Sequence, residues 1–141
     1  MVSYNVPKND TNASRFGTIS VANQAGTTVA QFQIGQDAPL PNFDGEYKGT
    51  FMGFLTCPTP DGGVVTAPVN GTIDWIIADG EITNGGSGGI DSFGHVNISY
   101  PTPIGDLTFT GDAATGLGLW TLPLPPCPGG SGSGTWNATK Q

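Results

Sequence analysis

Positive charge is what this chain has least of. Lys8, Arg15, Lys48 and Lys140 are its four fixed cations, set against eleven Asp and Glu, for a formal net charge of −7 over 141 residues. So few cations cannot neutralise a run of phosphates, which excludes nucleic acid as a partner and leaves an anionic membrane surface nothing to hold. Charged residues of both signs together make up only 11% of the chain, against about 25% in an average domain. Disordered chains are normally charge-rich and poor in aromatics, so a low charge argues for a folded one. No run of about 18 apolar residues occurs, so no helical membrane span and no membrane insertion are expected. No basic segment followed by an apolar one opens the chain, so a signal peptide is not expected within it, and a mature or trimmed form is. Helical periodicity is nearly missing as well.

What is present is glycine, proline and aromatic residues. The 23 Gly and 12 Pro punctuate short apolar stretches, and three Trp, three Tyr and seven Phe give material for a core. Two-residue alternation bounded by Gly, Pro, Asn and Asp recurs along the whole chain and reads as strands and turns. Strands are expected at 3–6, 17–22 and 28–34, then at 45–56, 64–77, 80–83, 93–99, 107–111, 116–122 and 132–139. Pro68 is expected to interrupt the second of the later group, so that this strand starts near Val69. Tyr47, Phe51 and Leu55 share one parity with Gly45, Gly49 and Gly53. Ile73, Trp75 and Ile77 share a face, Leu107 and Phe109 continue it, then Leu117 and Leu119 with Trp120 adjoining, and Trp136 and Ala138 close it. The tetrapeptide Ala78-Asp79-Gly80-Glu81 is expected to be a hairpin turn. Glycine-rich stretches 84–89 and 129–134 read as loops.

The fold class implied is all-β: a three-stranded N-terminal segment, then a seven- to eight-stranded antiparallel meander closing into a barrel or sandwich. Pro39 and Pro41 disfavour both helix and central strand, so residues 39–42 form a short stiff linker between a unit at 1–38 and a domain at 43–141. Cys57 and Cys127 both sit beside prolines in turn-like segments. A disulfide between them would close a long loop and indicate an oxidising compartment; the alternative is two unrelated buried thiols.

The segments Val2-Ser3-Tyr4-Asn5-Val6-Pro7-Lys8-Asn9, Ser14-Arg15-Phe16-Gly17-Thr18-Ile19-Ser20-Val21 and Phe32-Gln33-Ile34-Gly35-Gln36-Asp37-Ala38 follow one another in a characteristic order. In that order residues 1–38 resemble the C-terminal half of a BACON-type domain, an immunoglobulin-like module of bacterial surface and secreted proteins. The resemblance implies a partial immunoglobulin-like unit, an extracellular or cell-surface location, and association with carbohydrate-active or adhesive proteins. It covers about a quarter of the chain, and the earlier strands of such a module are not among these residues. The remainder, with its Gly-x-Tyr-x-Gly-x-Phe opening and Gly-Thr-Trp-Asn-Ala-Thr ending, resembles small Gly-rich bacterial barrel or sandwich domains.

Catalytic chemistry finds little support. His95 is the single histidine; Ser92 and Asp91 flank it, but no nucleophile elbow frames the serine. One His and two Pro-flanked Cys do not fill a tetrahedral metal site, so no metal and no cofactor are expected. Glu46, Glu81, Asp74, Asp79 and Asp91 could in principle pair as glycosidase carboxylates do. Glu46 and Asp74, however, alternate with Tyr47 and with Ile73 and Trp75, which places them on an outer polar face. Asp61-Gly62-Gly63, Asp79-Gly80-Glu81 and Asp106 offer oxygen ligands in loops without a calcium-loop register. The run 84–89 lacks the lysine and following helix of a phosphate loop.

Exposed aromatic residues would be the platform for a sugar. Trp75 and Trp136 fit the core stripes, whereas Trp120 and Tyr100 lie near loops and are expected to be the exposed ligand-binding pair. Five Asn-x-Ser/Thr sequons, at Asn9, Asn12, Asn70, Asn97 and Asn137, carry little weight in a bacterial-type protein. The expectation is therefore a non-catalytic extracellular or cell-surface module that binds glycan or another extracellular protein partner. The alternative is a structural subunit that self-assembles into a fibre or layer by strand exchange.

Overall fold

The structure, a computed structural model, describes residues 5, 7–9 and 13–141. It is all-β. The chain divides into two compact units, Met1–Leu40 and Pro41–Gln141, with the division inside the Pro39–Pro41 segment.

In the first unit, β1 (Arg15–Ala22) and β2 (Thr28–Gln36) form an antiparallel hairpin. Asn23 closes its turn by accepting the Ala25 and Thr27 amides on Oδ1 at 3.0 Å. The register sets Gly17 opposite Ile34, Ile19 opposite Phe32 and Val21 opposite Ala30. From Gly17 to Val21 that face is apolar, with the Arg15–Gln36 pair at its end, because alternate residues of paired strands share a side. A third strand, expected at 3–6, lies outside the described residues apart from Asn5.

In the second unit eight strands run in sequence: β3 (Gly45–Pro58), β4 (Val64–Ala78), β5 (Glu81–Ile82), β6 (Ser87–Ile90), β7 (His95–Thr102), β8 (Gly105–Asp112), β9 (Leu117–Leu124) and β10 (Gly130–Lys140). Each pairs antiparallel with the next, and β10 returns to pair with β3, closing a barrel. The expected Asp-Gly hairpin joins β4 to β5, with Asp79 at φ 53° and Gly80 at φ 78°. Both values lie in the left-handed region that a two-residue turn of this hand requires.

The core is the barrel interior, where an eight-stranded barrel is just wide enough for side chains to fill. Tyr47, Ile73, Trp75, Ile77, Val96, Ile98, Phe109 and Trp136 are buried there. Two cross-strand rows set aromatics beside glycines. One runs Phe109, Trp120, Gly134, Gly53, Val69 and the other Gly111, Gly118, Trp136, Phe51, Gly71. Trp120 lies over Gly134 and Gly53 and donates its indole N–H to the Met52 carbonyl at 2.9 Å. Trp136 leans the other way, over Gly118 and Gly111, and donates to the Thr110 carbonyl at 3.0 Å. The two indoles therefore lace β8, β9, β10 and β3 together. Phe43 packs against this core, and its carbonyl accepts the Tyr47 hydroxyl at 2.9 Å.

Four expectations need correction. Leu117 and Leu119 are 58% and 59% exposed, and Trp120, at 0%, is fully buried, so β9 presents the opposite face from the one expected. Both faces of this strand carry apolar residues; pairing of Trp120 with Phe109 and Gly134 selects the inward set, since only glycine neighbours leave room for an indole. Second, Pro68 does not interrupt β4, which runs unbroken from Val64. Ile76, of the same parity, bonds away from β3, toward Thr83 and Asn84. The N–H that Pro68 lacks would likewise point to that side, where β4 pairs only at Ile77 and Ala78, so no ladder bond is lost. Third, Ser87–Ile90 is a strand, not a loop, and pairs with Val96–Ser99. Fourth, the stretch 129–134 enters β10 already at Gly130.

Cys57 and Cys127 form a disulfide, with Cα atoms 5.9 Å apart, that ties the end of β3 to the β9–β10 loop. No helix among the described residues is long and apolar enough to cross a membrane.

Two substitutions probe these restraints. A Cβ added at Gly134 would fall 2.0 Å from the Met52 carbonyl oxygen and 2.6 Å from the Trp120 indole nitrogen. Gly134→Ala is expected to lower unfolding stability by about 3 kcal/mol in urea titration. The double variant Cys57→Ser, Cys127→Ser frees a loop of sequence separation 70, and chain entropy puts its loss at roughly 4 kcal/mol in the same assay.

Candidate functional site

The barrel ring is complete but uneven. Between the 15-residue β4 and the eight-residue β7 it is carried by β5, of two residues, and β6, of four. β5 pairs with β4 only at Ile77 and Ala78, and with β6 only through Glu81 and Gly89. Beyond this narrow bridge the wall is open, and a cleft of about 260 Å³ lies between β4 and the β7–β8 hairpin.

The partly exposed rings of Phe51 and Tyr100 floor the cleft, above the aromatic core, where Trp75 and Phe109 are 2% exposed. Phe109 is its hub: Phe51 stands at 5.5 Å, Trp75 at 5.4 Å and Tyr100 at 6.4 Å, all edge to face. Leu107, opposite Tyr100 in the β7–β8 register, lines the same side. Thr72 and Asp74 form the β4 rim, and Asn84 crosses the end of the opening. The Asn84 side chain imitates a neighbouring strand, accepting the Ile76 N–H at 3.1 Å and donating to the Asp74 carbonyl at 2.6 Å. With Thr83 bonding Ile76 through its backbone N–H, the unpaired edge of β4 is satisfied as far as Asp74.

The Tyr100 hydroxyl has no hydrogen-bond partner among the described residues, nor does the Thr72 hydroxyl. Burial first, and the nearby Asp74 carboxylate second, push the Tyr100 pKa up to about 12. Its hydroxyl therefore stays protonated across the physiological range and can both donate and accept. The cleft thus combines an apolar aromatic floor with a hydroxyl, a phenol and a carboxylate at its mouth.

Of the two aromatics expected to bind ligand, only Tyr100 is half-exposed at a cleft; Trp120 is walled in by glycines on β10 and β3. Sequence reasoning placed Asp74 on a polar outer face and so passed over it as a site residue. Its position across from Lys48 in the β3–β4 register is that outer face, at the rim of the opening. Phe51 and Thr72 were legible as strand residues, but only the shortness of β5 and β6 brings them to an opening.

The other chemistry-bearing residues serve turns. His95 Nδ1 lies 2.8 Å from Asp91 Oδ2, while Asp91 Oδ1 accepts the Phe93 and His95 amides at 2.9 Å. Those bonds hold the Asp91 carboxyl below its usual range, with the His95 side chain first among the causes. Asp61 accepts from the Thr59 hydroxyl and the Gly63 amide, and Asp112 from the Thr115 amide. Glu46 pairs with Lys48 at 2.8 Å on the barrel exterior. Among the described residues no group of three His, Cys, Asp or Glu converges to hold a metal ion.

No family model, curated protein or solved structure matches this chain.

A tyrosine with a raised pKa contributes stability that is fully present below pH 10.0 and lost as the pH climbs toward about 12. Ultraviolet titration is expected to show Tyr100 ionising late. Asp74→Asn should bring its midpoint part of the way back, leaving the larger share that burial causes.

Proposed function

We propose that this protein is a non-catalytic extracellular module that binds glycan in the cleft between β4 and the β7–β8 hairpin. The observation that carries the reading is the pairing, in one opening, of the partly exposed Phe51 and Tyr100 rings, backed by the buried Trp75 and Phe109, with polar groups at Thr72, Asp74 and the Tyr100 hydroxyl. A pyranose has an apolar C–H face and a rim of hydroxyls, and a site of this composition complements both. The volume of about 260 Å³ falls just below the range usual for drug-sized ligands, which suits a single sugar ring or a chain end.

Three further features support an extracellular setting. The Cys57–Cys127 disulfide is compatible with an oxidising compartment. The closed barrel leaves few free strand edges, and edges are where proteins are vulnerable to aggregation. The resemblance of residues 1–38 to a BACON-type module points to bacterial surface and secreted proteins of the adhesive and carbohydrate-active kind.

A glycan array followed by isothermal titration tests the reading. At least one sugar class is expected to bind. Thr72→Ala, an exposed change that leaves the core intact, is expected to weaken binding about 3- to 10-fold, the loss of one hydrogen bond. Absence of binding to every sugar on the array would overturn it.

A further inference from the structure

The charges around the cleft narrow its ligand further, an inference that rests on the glycan reading. Of the residues that line the opening, Asp74 alone carries a charge. The nearest cation in the β3–β4 register is Lys48, opposite Asp74, and its ammonium group is 2.8 Å from Glu46. Asp74 itself makes no side-chain hydrogen bond; its carbonyl, not its carboxylate, receives Asn84. A carboxylate thus stands at the mouth of an aromatic pocket in a chain of net charge −7; Lys48, whose charge also feels Asp74, lies outside the lining and is held by Glu46. Aromatic ring faces attract cations through their quadrupole, and the attraction grows where water is excluded. The exposed Asp74 carboxylate adds its own attraction in the same direction, weakened by the water around it.

We infer that the cleft selects a hexosamine with a free ammonium group, seated with its C–H face on the aromatic floor and its ammonium beside Asp74. N-acetylation of that amine would remove the charge and add bulk at the rim, so acetylated and neutral hexoses bind less well. Thr72 and Tyr100 accept from and donate to the remaining ring hydroxyls.

The test is a nitrogen-15 NMR titration of the full chain with glucosamine, glucose and N-acetylglucosamine, following the Trp75 indole and Asn84 side-chain signals. Glucosamine is expected to bind roughly fivefold or more tightly than the other two, a preference that falls with added salt. Asp74→Asn, an exposed substitution, should erase the preference for glucosamine over glucose. A second arm needs no variant: raising the pH until the sugar amine is neutral should abolish the preference in the unmodified protein. Equal binding of all three sugars, or a preference unchanged by both salt and pH, would overturn the selectivity and leave glycan binding standing. Shifts with none of the three, joined to a blank array, would remove both.

Discussion

The barrel depends on two tryptophans lying across glycines. An indole is too large to point straight into an eight-stranded barrel already holding Trp75 and Phe109, so Trp120 and Trp136 lie flat against the wall. Lying flat requires that the wall have no side chains beneath them, which is what Gly134 and Gly53 provide for one and Gly118 and Gly111 for the other. Each ring then reaches two strands away to place its N–H on a backbone carbonyl. A buried indole N–H without a partner would be costly, so the same geometry that fits the ring also satisfies its polar atom. The result ties β8, β9, β10 and β3 into one stiff half of the barrel, and the Cys57–Cys127 disulfide fastens that half at the end of β3.

The opposite half is built from less. β5 and β6 supply six residues of strand between them, enough to complete the hydrogen-bonded ring but not to cover the aromatic core along the length of β4. The exposed length of β4 is kept in order by local devices. Asn84 supplies amide groups where a strand would, and Pro68 sits where no N–H is needed. Proline on an edge also discourages pairing with another chain's strand. The opening is therefore a stable feature of the fold: a rigid wall on one side, a short bridge on the other, and the partly exposed Phe51 and Tyr100 between them. That is a suitable arrangement for holding a small rigid ligand with little reorganisation.

The first unit follows a different principle. Its β1–β2 hairpin has an apolar face formed by Ile19, Val21, Phe32 and Ile34, with Phe32 58% exposed. Two strands alone rarely hold a fold in water, because they cannot bury both members of such a face. This unit thus contrasts with the barrel, whose inward-facing apolar residues meet one another across the interior.

Much of this architecture was legible in the residues. Alternation located most strands, assigned Trp75 and Trp136 to the core and Glu46 to the surface, and Asp79-Gly80 marked its turn, because side-chain parity and left-handed turn residues are local properties. The prolines beside Cys57 and Cys127 hinted at a bonded pair, although Cys57 lies within β3 and not in a turn. What alternation could not decide was the face of β9, where Leu117 and Leu119 compete with Trp120 and Leu122 as two equally apolar sets. Nor could it find Ser87–Ile90, whose glycines pair without any apolar signature of their own. Those choices depend on neighbours distant in the chain: Trp120 goes inward because Gly134 and Gly53 lie beside it, and the cleft exists because β5 and β6 are shorter than the strands they join. By itself, then, the sequence determined an acidic, aromatic-cored, all-β chain with a disulfide-ready pair of cysteines. Only the tertiary structure decided which aromatics are sealed and which face an opening, since that turns on strand register and strand length around a closed ring.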